Sequence, residues 1–111
     1  MELDMTVYEE LKDATGGDFI DELVETFLDD APRLMSELKA ALQAQDAEAF
    51  RRAAHSLKSN SATFGANRLS GMAKELEMLA KEQKLSEAAT KLPEVEETLH
   101  SVEAELKGLH Q

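Results

Sequence analysis

Apolar residues recur every three or four positions along most of the chain, which is the spacing of one face of an α-helix. Four long segments carry such a stripe, and a shorter segment precedes them. The connections between the segments are short, which favours antiparallel neighbours, and four stripes are enough to close a core. The pattern therefore predicts an all-α fold, an antiparallel four-helix bundle with a short extra N-terminal helix.

Local signals suggest where the helices begin. A capping-box spacing from Thr6 to Glu9 predicts the start of the short helix. The predicted N-caps of the four long helices are Asp18, Asp46, Asn67 and Ser86. Pro32 falls inside a stripe that keeps its phase, so it predicts a bend and not a break, whereas Pro93 predicts a kink or a restart of the last helix.

The third long helix, predicted over about residues 46–64, carries the candidate chemistry. At 100° per residue, its apolar side chains gather on one side of the helix: Phe50, Ala53, Leu57 and Phe64. His55 lies on the opposite side, and Lys58 follows one turn later with its side chain leaning back over the histidine. Gly65 suits a left-handed C-cap that ends the helix.

The distribution of charge singles out the same helix. The 111-residue chain has 23 acidic and 12 basic residues, a formal net charge of −11. No Asp or Glu occurs from Ala49 to Lys74, yet five basic residues fall there: Arg51, Arg52, Lys58, Arg68 and Lys74. One positive window in an acidic protein indicates a site for an anion or for an acidic pocket of a partner.

Length and composition exclude several classes of protein. Residues 1–111 suffice for one domain, and the absence of cysteine excludes disulfides and thiolate metal sites. No apolar run could span a bilayer, no signal-peptide character is visible, and the acidity argues against nucleic acid or an anionic membrane as a partner. We expect a cytoplasmic protein, and a monomer because every stripe is used within one bundle.

The segment from His55 to Gly65, HSLKSNSATFG, resembles the phosphoacceptor motif of histidine-containing phosphotransfer (HPt) domains. The resemblance extends along nearly the whole chain, and Leu76-Glu77 is similar to a second family signature. It implies that His55 is the phosphorylated histidine, that Lys58 neutralises phosphoryl oxygens and that Glu77 hydrogen-bonds the histidine ring. It also implies a relay between receiver-domain aspartates of a two-component system, supplied by a sensor histidine kinase.

The chemistry follows from the residue types. If Glu77 accepts the proton of Nδ1, Nε2 is the exposed nucleophile, and the imidazole acts as both covalent catalyst and carrier. The chain has no nucleotide-binding loop and no acidic cluster near His55 in sequence, so no cofactor is expected and Mg²⁺ should act on the partner receiver domain. We therefore expect a phosphocarrier without ATP-dependent kinase activity, and whether it counts as an enzyme is a matter of definition. The candidate docking residues are Arg51, Arg52, Ser59, Ala62, Gly65 and Arg68.

Other interpretations stay open at this point. An exposed helical histidine is most often an ordinary surface residue, and His100 and His110 are expected to be bystanders. Glu77 could instead pair with Lys74 or Lys81 on its own helix. The same bundle could be a non-catalytic module that binds a receiver or a kinase, although the presence of both His55 and Lys58 argues against it. It could also be a piece of a larger hybrid kinase, although the starting Met1 favours a stand-alone protein.

Overall fold

The computed structural model describes residues 1–110 except the side chain of His110, so the prediction for His110 lies outside the described residues, as does Gln111. Five helices follow one another, with no strand in the described range: α1 (Met5–Thr15), α2 (Gly17–Ala44), α3 (Ala47–Thr63), α4 (Asn67–Lys81) and α5 (Leu85–His110). The long helices form a closed ring of neighbours: α2 packs on α3, α3 on α4, α4 on α5, and α5 on α2. The short helix α1 packs on α2. The predicted four-helix bundle with an extra N-terminal helix is confirmed.

The core lies where the four apolar stripes meet. The largest fully buried side chains come from all four long helices, among them Leu38, Phe50, Leu57, Leu76 and Leu99. Phe27 of α2 meets Phe64 at the end of α3 in an edge-to-face contact, with ring centroids 5.6 Å apart and an interplanar angle of 73°. This contact joins α2 to the end of the helix that carries His55.

One of the predicted N-caps is confirmed, and the others are wrong. The Asp46 carboxylate accepts the backbone N–H of Ala49 at 3.0 Å and begins α3. The cap of α1 is Asp4, whose side chain accepts from the Thr6 N–H, because the Asp4 N–H is held by the Gly65 carbonyl at 2.9 Å. The remaining predicted caps lie within the first turn of their helices: Asp18, Asn67 and Ser86.

Three tight turns connect the long helices, and each contains a residue with positive φ: Gln45 (54°), Gly65 (75°) and Gln83 (60°). In each turn a backbone N–H donates to a carbonyl in the last turn of the preceding helix; for example, the Ala66 N–H donates to the Ser61 carbonyl at 3.0 Å. Both internal prolines are accommodated without a break. The prediction that α2 continues through Pro32 is therefore confirmed, and the predicted restart of the last helix at Pro93 is wrong. In both helices the packing of a long apolar stripe outweighs one lost backbone hydrogen bond.

No helix in residues 1–110 is both long and apolar enough to cross a lipid bilayer.

Candidate functional site

The two sides of α3 have different surroundings. The predicted apolar side is buried, with Phe50 and Leu57 at 0 % exposure, and Ser61 joins it by donating its hydroxyl to the Leu57 carbonyl at 2.7 Å. On the other side, the His55 side chain is 54 % exposed. We refer to this side as the open face of α3, formed by Arg51, Arg52, His55, Lys58, Ser59 and Ala62. The helical phase inferred from the sequence is confirmed.

One carboxylate from α4 organises the open face. Glu77 Oε2 lies 2.8 Å from His55 Nδ1, and Glu77 Oε1 accepts from Lys58 Nζ at 2.8 Å. Arg51 Nη1 lies 4.0 Å from Oε2, so three basic side chains of α3 surround this group. Glu77 thus points to α3 and not along its own helix toward Lys74 or Lys81, which was the alternative.

The contact with Glu77 fixes the tautomer of His55. An ionised carboxylate can only accept hydrogen bonds, so the neutral imidazole carries its proton on Nδ1. The lone pair then resides on Nε2, across the ring from Glu77, and more than half of this side chain is accessible to solvent. Ser59 and Ala62 are exposed and small, so they leave room for a reacting group to approach.

Glu77 is buried, and its charge is stabilised by its partners. Only 6 % of its side chain is exposed, and burial alone would raise the pKa of the carboxyl. The hydrogen bond from Lys58 is the largest influence and lowers the pKa, and the hydrogen bond from His55 adds to it, so the net shift of the Glu77 pKa is downward. The carboxylate is therefore ionised at neutral pH and available to His55.

Arg51 is oriented by its own helix. Its Nε donates to Glu48 Oε2 at 3.0 Å, and its Nη2 donates to Glu48 Oε1. This bidentate pair lies on the surface, since 61 % of the Glu48 side chain is exposed, and it leaves the Nη1 edge of the guanidinium directed at Glu77. Sequence reasoning missed this arrangement, although the Glu-x-x-Arg spacing on one helix was a signal for it.

The turn after α3 fixes the site relative to α4. Gly65 has φ of 75°, and a Cβ on it would lie 2.8 Å from Val7 Cβ and 2.9 Å from the Asp4 carbonyl oxygen. Ser70 of α4 donates its hydroxyl to the Lys58 carbonyl at 3.0 Å. The Gly65 contacts hold the N-terminal segment against this turn, and the Ser70 bond joins α4 to α3 in the register that brings Glu77 beside His55.

Two predicted docking residues do not lie on the open face. Gly65 is buried under the N-terminal segment, because its backbone contacts Asp4 there. Arg68 is exposed but forms ion pairs with Glu2 and Glu94, and it precedes Glu77 by nine residues on α4, roughly 13 Å at 1.5 Å per residue. Arg52, Ser59 and Ala62 are exposed beside His55.

A narrow groove beside the open face was not predicted. It lies between α2 and α3, has a volume of about 120 Å³, and is lined in part by Leu23, Thr26, Asn60 and Thr63. The partial burial of Leu23 follows from its place at the edge of the α2 stripe, a position that the sequence pattern leaves ambiguous. Among residues 1–110, no three His, Cys, Asp or Glu side chains come together in a way that could hold a metal ion.

Comparison with known proteins agrees with this fold. The family model of the Hpt domain matches residues 22–105, which include His55, Lys58 and Glu77 and exclude α1. The chain is similar to the crystal structure of histidine-containing phosphotransfer protein B (HptB) from Pseudomonas aeruginosa PAO1, with a TM-score of 0.94 and 35 % sequence identity over 99 % of this chain and 95 % of that chain. No curated protein matches the chain.

Proposed function

The chain belongs to the Hpt domain family and is a histidine phosphotransfer carrier of a two-component phosphorelay, and we propose that His55 is the residue that carries the phosphoryl group. The observation that supports this assignment most strongly is the 2.8 Å contact between His55 Nδ1 and the buried Glu77 carboxylate, beside an accessible Nε2. The unit that performs this function is the single domain of residues 1–111.

The transfer step uses the lone pair of His55 Nε2. Nε2 attacks the phosphorus of an aspartyl phosphate on a receiver domain, an N–P bond forms, and the P–O bond to the aspartate breaks as the carboxylate leaves with the bonding pair. The proton on Nδ1 stays in the hydrogen bond to Glu77, so the ring acquires a positive charge that the carboxylate offsets. In the reverse step the ring departs as a neutral imidazole, which is a better leaving group than an imidazolate.

Lys58 supplies a positive charge for the phosphoryl oxygens. It follows His55 by one helical turn, and 28 % of its side chain is exposed, so its ammonium can reach a group bound to Nε2. The chemistry that this chain does not supply, the acceptor aspartate and its Mg²⁺, belongs to the receiver domain. The carrier therefore needs no cofactor of its own and has no ATP-dependent kinase activity.

The partners dock on the open face of α3. Receiver domains and kinases are the partners implied by membership of the Hpt family, and an acidic receiver pocket would meet the positive residues Arg51, Arg52 and Lys58 around His55. Exposed Ser59 and Ala62 allow close approach. We further propose that a sensor histidine kinase is the upstream source and that the carrier is a monomer in the cytoplasm, where ATP-dependent kinases act.

A phosphotransfer assay tests the assignment. Wild type, His55→Ala and the control His100→Ala, which changes an exposed histidine on α5, are mixed with a receiver domain that carries labelled aspartyl phosphate and Mg²⁺. We expect an acid-labile, alkali-stable label on wild type and His100→Ala, and none on His55→Ala. A label that persists in His55→Ala would refute the assignment, and binding of receivers without any labelling would favour a non-catalytic module.

A further inference from the structure

Two acceptors compete for the Lys58 ammonium group, the Glu77 carboxylate and a phosphoryl group on His55. In the structure it donates to Glu77 Oε1 at 2.8 Å and is the largest influence that lowers the pKa of this carboxyl. Under the proposed function it must also pair with phosphoryl oxygens on Nε2, which is on the side of the imidazole away from Glu77. Turning the ammonium toward phosphoryl oxygens on Nε2 would lengthen its hydrogen bond to Glu77.

The loss of Lys58 would leave the buried Glu77 carboxylate with the phosphorylated ring as its remaining close cationic partner. Only 6 % of the Glu77 side chain is exposed, so water cannot replace the lost ammonium. A carboxyl group in this position would then tend to take the proton from Nδ1, and His55 would lose both its orientation and its good leaving-group form. The site therefore requires a second cation at Glu77 in the phosphorylated state.

Arg51 is placed to provide that cation. Its Nη1 is not used by Glu48 and lies 4.0 Å from Glu77 Oε2, so a movement of about 1 Å brings it to hydrogen-bond distance. Glu48 is exposed and can move with the guanidinium as one unit. The Arg51 side chain is itself 29 % exposed, which leaves it free to shift without repacking the core.

We propose that Arg51 replaces Lys58 at the Glu77 carboxylate when His55 carries a phosphoryl group, so that Lys58 is released to the phosphoryl oxygens. This inference rests on the proposed function of His55. Arg51 acts through Glu77 and not on the phosphoryl group, so it is a positioning residue. Its role is dispensable in the resting protein, where Lys58 holds Glu77, and required in the phosphorylated protein.

The experiment avoids any partner, so that docking cannot affect the result. The protein is phosphorylated with phosphoramidate: Nε2 attacks the phosphorus, the N–P bond to the donor breaks, and ammonia leaves with the bonding pair. The protonation of Nδ1 is followed by ¹⁵N NMR, and the unfolding midpoint is measured before and after phosphorylation. The variants are Arg51→Gln, Arg51→Lys, Lys58→Gln and the double variant Arg51→Gln/Lys58→Gln.

Arg33→Gln is the matched control. Arg33 is a more exposed arginine, held by Asp30 and Glu37 of its own helix with its Nη1 3.1 Å from Glu37 Oε1, and it lies on α2 with no part in the site. The change removes the same charge and the same type of helical ion pair. A loss of the Nδ1–H signal in phosphorylated Arg51→Gln that is absent from phosphorylated Arg33→Gln therefore reports on the Glu77 contact.

Before phosphorylation, we expect Arg51→Gln, Arg33→Gln and Lys58→Gln to keep the wild-type Nδ1–H signal, because either cation suffices. The double variant loses this signal. After phosphorylation, Arg51→Gln alone loses the signal, and its unfolding midpoint falls by about 4 °C or more relative to phosphorylated wild type, the size expected for an unpaired buried charge. Arg51→Lys restores part of the Nδ1–H signal and part of the lost unfolding midpoint.

Two results would overturn the exchange while leaving the proposed function intact. One is a phosphorylated Arg51→Gln protein indistinguishable from phosphorylated Arg33→Gln. The other is loss of the Nδ1–H signal in Arg51→Gln before phosphorylation, which would mean that Arg51 holds Glu77 at rest. A wild-type protein that forms no phosphohistidine overturns the proposed function itself, and the exchange with it.

Discussion

The two sides of α3 are held in place by different interactions. The buried side is held by shape, since Phe50 and Leu57 have no exposed surface and fill space between helices. The open face is held by charge, since one carboxylate of α4 positions His55 and Lys58 through hydrogen bonds of 2.8 Å. Substitutions on the buried side should therefore affect stability most, and substitutions on the open face should affect phosphoryl transfer most.

The largest loss of stability is expected from Leu57→Ala on the buried side. Removing this fully buried side chain should lower the free energy of unfolding by roughly 2–5 kcal/mol, from lost burial and the cavity left behind. Urea denaturation measures the change. Leu109→Ala is the control, because this leucine is 36 % exposed and should lose far less. Similar losses at both positions would contradict the distinction between the two environments.

The next largest effect is expected at the turn that ends α3. Gly65→Ala should lower stability by about 1–3 kcal/mol, because φ is 75° and the new Cβ would lie 2.8 Å from Val7 Cβ. Gly71→Ala on α4 is the matched control, since a Cβ there meets nothing within 4 Å, and we expect it to stabilise the helix. Thermal unfolding of the two variants should thus show shifts of opposite sign.

Glu77→Gln tests the carboxylate that joins the two helices. We expect slower phosphoryl transfer, because a neutral amide holds the Nδ1 proton less well, and a loss of about 1–3 kcal/mol at neutral pH from the weakened hydrogen bonds. Rapid-quench kinetics and urea denaturation measure the two effects. An unchanged transfer rate would remove Glu77 from the mechanism.

The pH dependence of that variant sharpens the test. Lys58 lowers the pKa of Glu77 in the folded protein below its unfolded value of about 4.3. The ionised carboxylate therefore contributes to the free energy of unfolding above that pH, and this contribution is lost as the pH falls through the lower folded-state pKa. The stability difference between wild type and Glu77→Gln should therefore shrink below about pH 4. A constant difference between pH 7 and pH 3 would show that ionisation of Glu77 is not its source.

The smallest change in stability is expected from His55→Ala, although it should abolish phosphoryl acceptance. More than half of the His55 side chain is exposed, so the free energy of unfolding should fall by about 0.5 kcal/mol or less. Chemical denaturation of wild type and variant under identical conditions measures this. A loss as large as that of Leu57→Ala would mean that His55 is part of the core.

The helices were more predictable than their ends. The three-to-four spacing of apolar residues determines which side of α3 is buried, and Asp46 caps its helix through a contact only three residues away. The cap of α1 was mispredicted because Asp4 is fixed by the Gly65 carbonyl, about sixty positions along the chain. Gly65 was predicted as a docking residue as well as a C-cap, and its burial was not foreseen because nothing local indicates that α1 covers it.

The sequence by itself determined the helices, the phase of α3 and the exposure of His55, because each depends on contacts within a few turns of one helix. The residue pattern left open whether Glu77 meets His55, as the resemblance implied, or a lysine of its own helix; the tertiary structure decided for His55 and added that the carboxylate is shared with Lys58 and has Arg51 within 4.0 Å. Helix periodicity describes one helix at a time, whereas the pairing of charges between α3 and α4 depends on the register set by the turn at Gly65 and by core packing.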